Sequence, residues 1–134
     1  MEQKLSTQVS SFLKLTNQVK NDYTFSQEEI SRMDMLIQDY LHMLEFQDTN
    51  YHERAKIATA LQQCRQLRRQ HKDNIIFLQP MVDMLETDKG KLAVSLLQQT
   101  LGQLRAAEKK MDNRTYSPRG MTPEEYKNKQ TTIH

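Results

Sequence analysis

Apolar residues recur at helical spacing through most of this chain, and that periodicity decides what it can fold into. Only 37% of the residues are hydrophobic, low for a compact globule, so regular spacing at that fraction describes thin amphipathic helices that need partners. Three glycines and three prolines interrupt little of it, and the Gln, Leu, Lys, Arg and Met content favours helix. A length of 134 residues is one domain with room for a single modest core.

Leu5, Val9, Phe12, Leu13 and Val19 predict a first helix over about residues 3–20, broken at Asn21-Asp22-Tyr23-Thr24. Ser26 followed by Glu29 reads as a capping box, with Phe25 stapled onto Ile30, and opens a second helix whose apolar face is Ile30, Met33, Ile37, Tyr40, Leu41 and Leu44. The short polar stretch Gln47-Asp48-Thr49-Asn50 forces an antiparallel return, and Asn50 with Glu53 caps a long third helix from Tyr51 to Gln79. Pro80 ends or kinks that helix, with a kink favoured because Met81, Val82, Met84 and Leu85 continue the apolar pattern. After a turn at Thr87-Asp88-Lys89-Gly90, residues Leu92 to Met111 mark a fourth helix. The expected fold is all-α: an antiparallel hairpin or small four-helix bundle, oligomeric, with a helical domain over 1–111 and a mobile or docking tail over 112–134. Within the tail, Thr122 and Pro123 can start one short helix.

The charge of +2 is mild, below that of a dedicated duplex-DNA binder, but it is locally clustered. With Leu61 at zero and about 100° per residue, Ile57, Cys64, Ile75 and Leu78 share one sector, and Arg54, Arg65, Arg68 and Lys72 fall in it or at its edge. Charges there must pair, snorkel or hold an anion. On the pairing reading, Asp34 lies level with Arg65 and carboxylates of the second helix neutralise the arginines; Arg68, Arg69 and Lys72 are then left without an acid. On the anion reading, Arg65, Arg68, Arg69 and Lys72 contact phosphate oxygens, since guanidinium groups pair with phosphate in a plane. Tyr116, flanked by Arg114 and Arg119, would stack a base and add two cations from the tail.

Other chemistry finds less support. Thr87-Asp88-Lys89-Gly90-Lys91 lacks the glycine spacing and the Ser or Thr of a phosphate loop. His42, His52, His71 and His134 include no pair four apart, so no metal site is expected, and no cofactor is. Cys64 cannot form an internal disulfide and is expected in the core; its seven-residue offset from His71 is too long for direct proton transfer. No catalytic residues are expected. No apolar run reaches membrane-span length and the start Met-Glu-Gln-Lys lacks a signal-peptide stretch, so the expectation is a soluble protein of the cytosol.

The spans Ile37-Gln38-Asp39-Tyr40-Leu41-His42-Met43-Leu44-Glu45, Arg65 to Asp73, and Leu101-Gly102 through Tyr116-Ser117-Pro118-Arg119 resemble a family of small helical proteins encoded by phages and prophages of Gram-positive bacteria. The resemblance covers roughly residues 30–119, leaves the first helix outside, and brings no established activity. What it implies is a setting, the cytosol of a bacterial host, where small phage proteins inhibit host machinery or counter host immunity. The leading expectation is a non-enzymatic anti-defence protein that sequesters a nucleotide signal or other phosphate-bearing ligand in cationic pockets between subunits of a homo-oligomer. The alternatives are an inhibitor that docks a host protein through an adaptable Met-rich face, and a nucleic-acid accessory factor with steeply salt-dependent binding.

Overall fold

Three long helices carry one apolar seam each, built on alternating steps of four and three residues. A computed structural model describes residues 3–114 and 118–133, the side chains only as far as residue 129. Helix α1 spans Leu5–Phe46, α2 Tyr51–Glu86, α3 Asp88–Asp112 and α4 Pro123–Ile133. On α1 the seam runs Leu5, Val9, Phe12, Thr16, Val19, Tyr23, Ser26, Ile30, Met33, Ile37, Tyr40, Leu44; on α2 it runs Ile57, Leu61, Cys64, Arg68, His71, Ile75, Leu78, Val82, Leu85. On α3 it is Gly90, Val94, Leu97, Leu101, Leu104, Glu108. This is coiled-coil spacing, and it makes α1 and α2 an antiparallel hairpin with α3 packed on both. The fold is all-α, as the periodicity requires.

The predicted break at Asn21–Thr24 does not occur: α1 is one helix of 42 residues, about 63 Å long. Asn, Asp and Thr in a helix cost only a few tenths of a kcal/mol each, and no glycine or proline interrupts the span. The packing of a continuous helix against α2 outweighs that cost. Tyr23 Oη donates to Gln79 Oε1 at 2.8 Å, and Ser26 is buried with its Oγ 3.2 Å from His71 Nδ1, so Ser26 is a seam residue and not a helix cap.

The helix continues through Pro80, as the apolar pattern beyond it predicts. Loss of one backbone hydrogen bond and the ring clash cost about 3 kcal/mol, yet two seam residues beyond it, Val82 and Leu85, are 3% and 1% exposed. Each such burial returns about 1.5–3 kcal/mol. They join Val19 in a core patched by Tyr23, Leu78, Met81 and Val94, where all three helices meet. Cys64 is buried further along the hairpin, with Ile57 and Met33, as expected of a core thiol.

The caps set the corners. Asn50 and Glu53 form the predicted capping box on α2. A single residue, Thr87, separates α2 from α3: its Oγ1 donates to the Met84 carbonyl at 2.7 Å and accepts from Gly90 N at 3.0 Å. Gly90 is buried there, and a Cβ on it would overlap the Met84 carbonyl oxygen. Thr122 caps α4 through Glu125 N, with Pro123 in the first turn as predicted.

Helix α1 has no acidic residue in its first turn and no side-chain cap from Lys4. Glu108 of α3 supplies both functions from across the fold: Ser6 N donates to its Oε1 at 3.1 Å and Ser6 Oγ to its Oε2 at 2.6 Å. Lys4 and Asp112 pair beside them at 3.4 Å. An anion at a helix N-terminus satisfies a free amide and complements the helix dipole. The Ser6 hydroxyl, then the Ser6 amide, hold Glu108 below its ordinary value of 4.5.

Gly90→Ala should destabilise the fold by about 1–3 kcal/mol, read as a lower urea midpoint, because a backbone oxygen has little room to give. A depressed carboxylate stabilises above its unfolded value and loses that contribution as pH falls through its folded one. Hydrogen exchange should therefore show protection of amides in the first turns of α1 that falls below pH 4.5, and Glu108→Gln should remove that pH dependence.

A cationic flank as the candidate site

The hairpin seam contains polar residues that locate the candidate site. Arg68 stands at a seam position and is half-buried; its Nε donates to Asp34 Oδ1 at 2.5 Å. The predicted level of Asp34 is thus one turn out: it meets Arg68 and not Arg65, and the expectation that Arg68 lacks an acid is corrected. Such a pair, each partner a third or more exposed, is worth about 0–1 kcal/mol. Its larger effect is to hold the guanidinium in one place.

Arg65, Arg69 and Lys72 lie outside the seam and are exposed. Of the two positions the helical wheel allowed, in the sector or at its edge, the structure selects the edge for Arg65 and Lys72, where long stems cross apolar surface and the charges meet water. Spacings of three and four keep all four cations on one flank of α2. Arg65, Arg68 and Arg69 converge with Asp34 and Ile37 on a concavity of about 310 Å³ between α1 and α2. Three arginines and one aspartate thus line it.

Arg65 and Arg69 also border a larger groove, about 770 Å³, lined from Ala58 to Gln70 by α2 alone. A groove walled by a single helix is open on its other side. Arg54, nearer the hairpin tip, is occupied with Thr49 Oγ1 at 3.2 Å.

The tail residues do not join this site within one chain. The end of α3 is tied to the start of α1 by Ser6–Glu108 and Lys4–Asp112, about 40 Å along α1 from Asp34. Arg114 is exposed there beside Lys110 and Met111. Arg119 is exposed and, five residues on, lies within about 18 Å of Arg114; Tyr116 falls outside the described residues. The six described positions therefore divide into one cluster on α2 and, remote from it, Arg114 and Arg119.

Sequence reasoning missed the pairing of Ser26 with His71, against whose ring Phe25 packs edge-on at 5.8 Å. The signal was their shared four–three spacing with the apolar seams. A serine beside a histidine suggests a nucleophile, but this one is buried in mid-helix, where the backbone amides are already used and none is free to receive an oxyanion. Among the described residues no group of three or more His, Cys, Asp or Glu side chains is placed to hold a metal ion, and no helix is long and apolar enough to cross a membrane. Comparison of the chain with family models, curated proteins and solved structures gives no match in any of the three.

If the Asp34–Arg68 pair acts as a positioner, Asp34→Asn should cost no more than about 1 kcal/mol in thermal unfolding. The same change should lower affinity for inorganic phosphate about fivefold, the equivalent of about 1 kcal/mol, by releasing the Arg68 guanidinium from its fixed place.

Proposed function

We propose that this chain is a non-catalytic binding protein that holds a phosphate-bearing nucleotide on the cationic flank of its hairpin and so withdraws it from circulation. The observation that carries this is the convergence of Arg65, Arg68 and Arg69 on one concavity with a single opposing carboxylate. Arg68 is fixed by Asp34, while Arg65 and Arg69 remain free to form planar paired hydrogen bonds to phosphate oxygens. The adjoining groove on α2 offers Leu61 and the stems of glutamines as an apolar bed for a base. Its open side would be closed by a second copy of the chain in a homo-oligomer. In the phage setting that the resemblance implies, the ligand is a nucleotide signal of host immunity, and sequestration is the anti-defence act.

A second reading is favoured by a different observation. The chain exposes Phe46, Tyr51, Ile76 and Phe77, all more than two-thirds accessible, on the tip and outer side of the hairpin. Such side chains suit a host protein as partner, and on that reading the protein is an inhibitor by docking. A nucleic-acid role ranks lower, because four clustered cations on an otherwise balanced chain make a small phosphate footprint.

Calorimetry with a panel of cyclic and linear nucleotides should give saturable binding to at least one, abolished in Arg65→Ala and Arg69→Ala with helix content unchanged. Flat heats across the panel would remove the proposal, and binding that survives both substitutions would move the site elsewhere.

A further inference from the structure

The hairpin has a second flank, opposite the cationic one. Asp22 and Asn74 each stand one residue before a seam position, Tyr23 and Ile75, whereas Asp34 and Arg65 each stand one residue after one, Met33 and Cys64. At about 100° per residue the first two fall roughly 90° to one side of the seam's centre and the other two roughly 70° to the opposite side. On antiparallel helices equal rotation places residues on a common side of the pair. Helix α3 approaches from the Asp34 side, since it meets Ser6, one residue after Leu5. The Asp22 flank is left open.

A cleft of about 290 Å³ lies there between α1 and α2, with buried Ser26 and half-buried His71 and Leu78 as its floor. Asp22 and Phe25 rim it from α1, Asn74 and Phe77 from α2. The alignment set by Tyr23–Gln79 and Asp34–Arg68 puts Phe25 level with Phe77, and the two rings are 54% and 85% exposed. The wall is built from the floor upward: Ser26 Oγ holds His71 Nδ1 at 3.2 Å, and the His71 ring holds Phe25 edge-on at 5.8 Å.

The lining selects one sign of charge. Asp22 is the carboxylate of the cleft, no lysine or arginine lines it, and no ion pair or hydrogen bond engages Asp22 among the described residues. Phenyl rings have electron-rich faces that attract cations. A serine hydroxyl accepts as well as donates, so with the proton on Nδ1 the imidazole presents Nε2 as an acceptor. Together with the Asn74 amide oxygen, three side chains then offer acceptors to a group that carries several donors. A primary ammonium has three donors and a positive charge. An anion would meet the Asp22 carboxylate, and a neutral ligand would leave it unpaired. The volume stands at the lower bound of small-molecule sites, roughly 300–1,000 Å³, which suits one short amine.

We propose that this cleft is a binding site for a small primary ammonium ligand with an apolar body, its charged end on Asp22 and its body against Phe25, Phe77 and Leu78. The site uses none of the residues of the cationic flank, so either stands if the other fails.

Phenethylamine is the probe, and 2-phenylethanol, of nearly the same size and without the charge, is its control. Proton NMR of the full-length chain should show saturable shifts of the His71 and Phe25 ring protons with the amine. The alcohol should bind about tenfold more weakly, because it forgoes both the ion pair and the cation–π contact. Asp22→Asn and Phe77→Ala should each weaken the amine about fivefold, with circular dichroism unchanged, since both side chains are exposed. No saturable shift, equal affinity for amine and alcohol, or amine binding that is unchanged in both variants overturns the proposal.

Discussion

Everything in this molecule hangs on the antiparallel register between α1 and α2, and polar residues set it. Apolar seams of four–three spacing can slide by a heptad at little cost, because Leu and Ile pack against one another in many alignments. A serine, a histidine and an arginine at seam positions cannot slide, since each misplaced partner leaves a polar group facing hydrocarbon. Tyr23 with Gln79 and Asp34 with Arg68 agree on one alignment, and Ser26 with His71 lies within about a turn and a half of it. That alignment leaves the start of α1 beyond the end of α2, positions α3 to cover part of it, and puts three arginines around one concavity.

Much of this is legible in the sequence where chemistry is local. The capping box at Asn50 and Glu53, the short loop before it, the turn at Thr87 and the start of α4 at Thr122 and Pro123 all depend on neighbours within four residues, and each stands where the residues place it. One local signal misleads: Ser26 with Glu29 has the spacing of a cap, but His71 and Gln79, dozens of residues away, decide otherwise. Pro80 has the chemistry of a stop, and the apolar pattern beyond it, which the Val19–Val82–Leu85 core uses, rightly argues for continuation. The cap that matters most at the start of α1 comes from Glu108, which no local window contains.

The candidate site is legible in part for the same reason. A run of arginines at three–four spacing announces a charged flank, and Arg65, Arg68 and Arg69 do share one. Whether such residues lie inside or beside an apolar sector is a matter of some tens of degrees, which the wheel leaves open and packing against α1 resolves. Charge alone groups Arg114 and Arg119 with that run. Their separation from it follows from α3 being tied to the opposite end of α1, a long-range fact that composition and spacing do not carry.

The carboxylate of Glu108 also has a history in time. It stands 102 residues after the Ser6 amide it receives, and chains emerge from the ribosome at roughly 5–20 residues per second. The opening turns of the longest helix therefore wait many seconds for the group that completes them, frayed and bare. Nascent protein of this kind carries those turns uncapped until α3 has followed them out, and what meets them during that interval is whatever the cell keeps close to the exit of the tunnel.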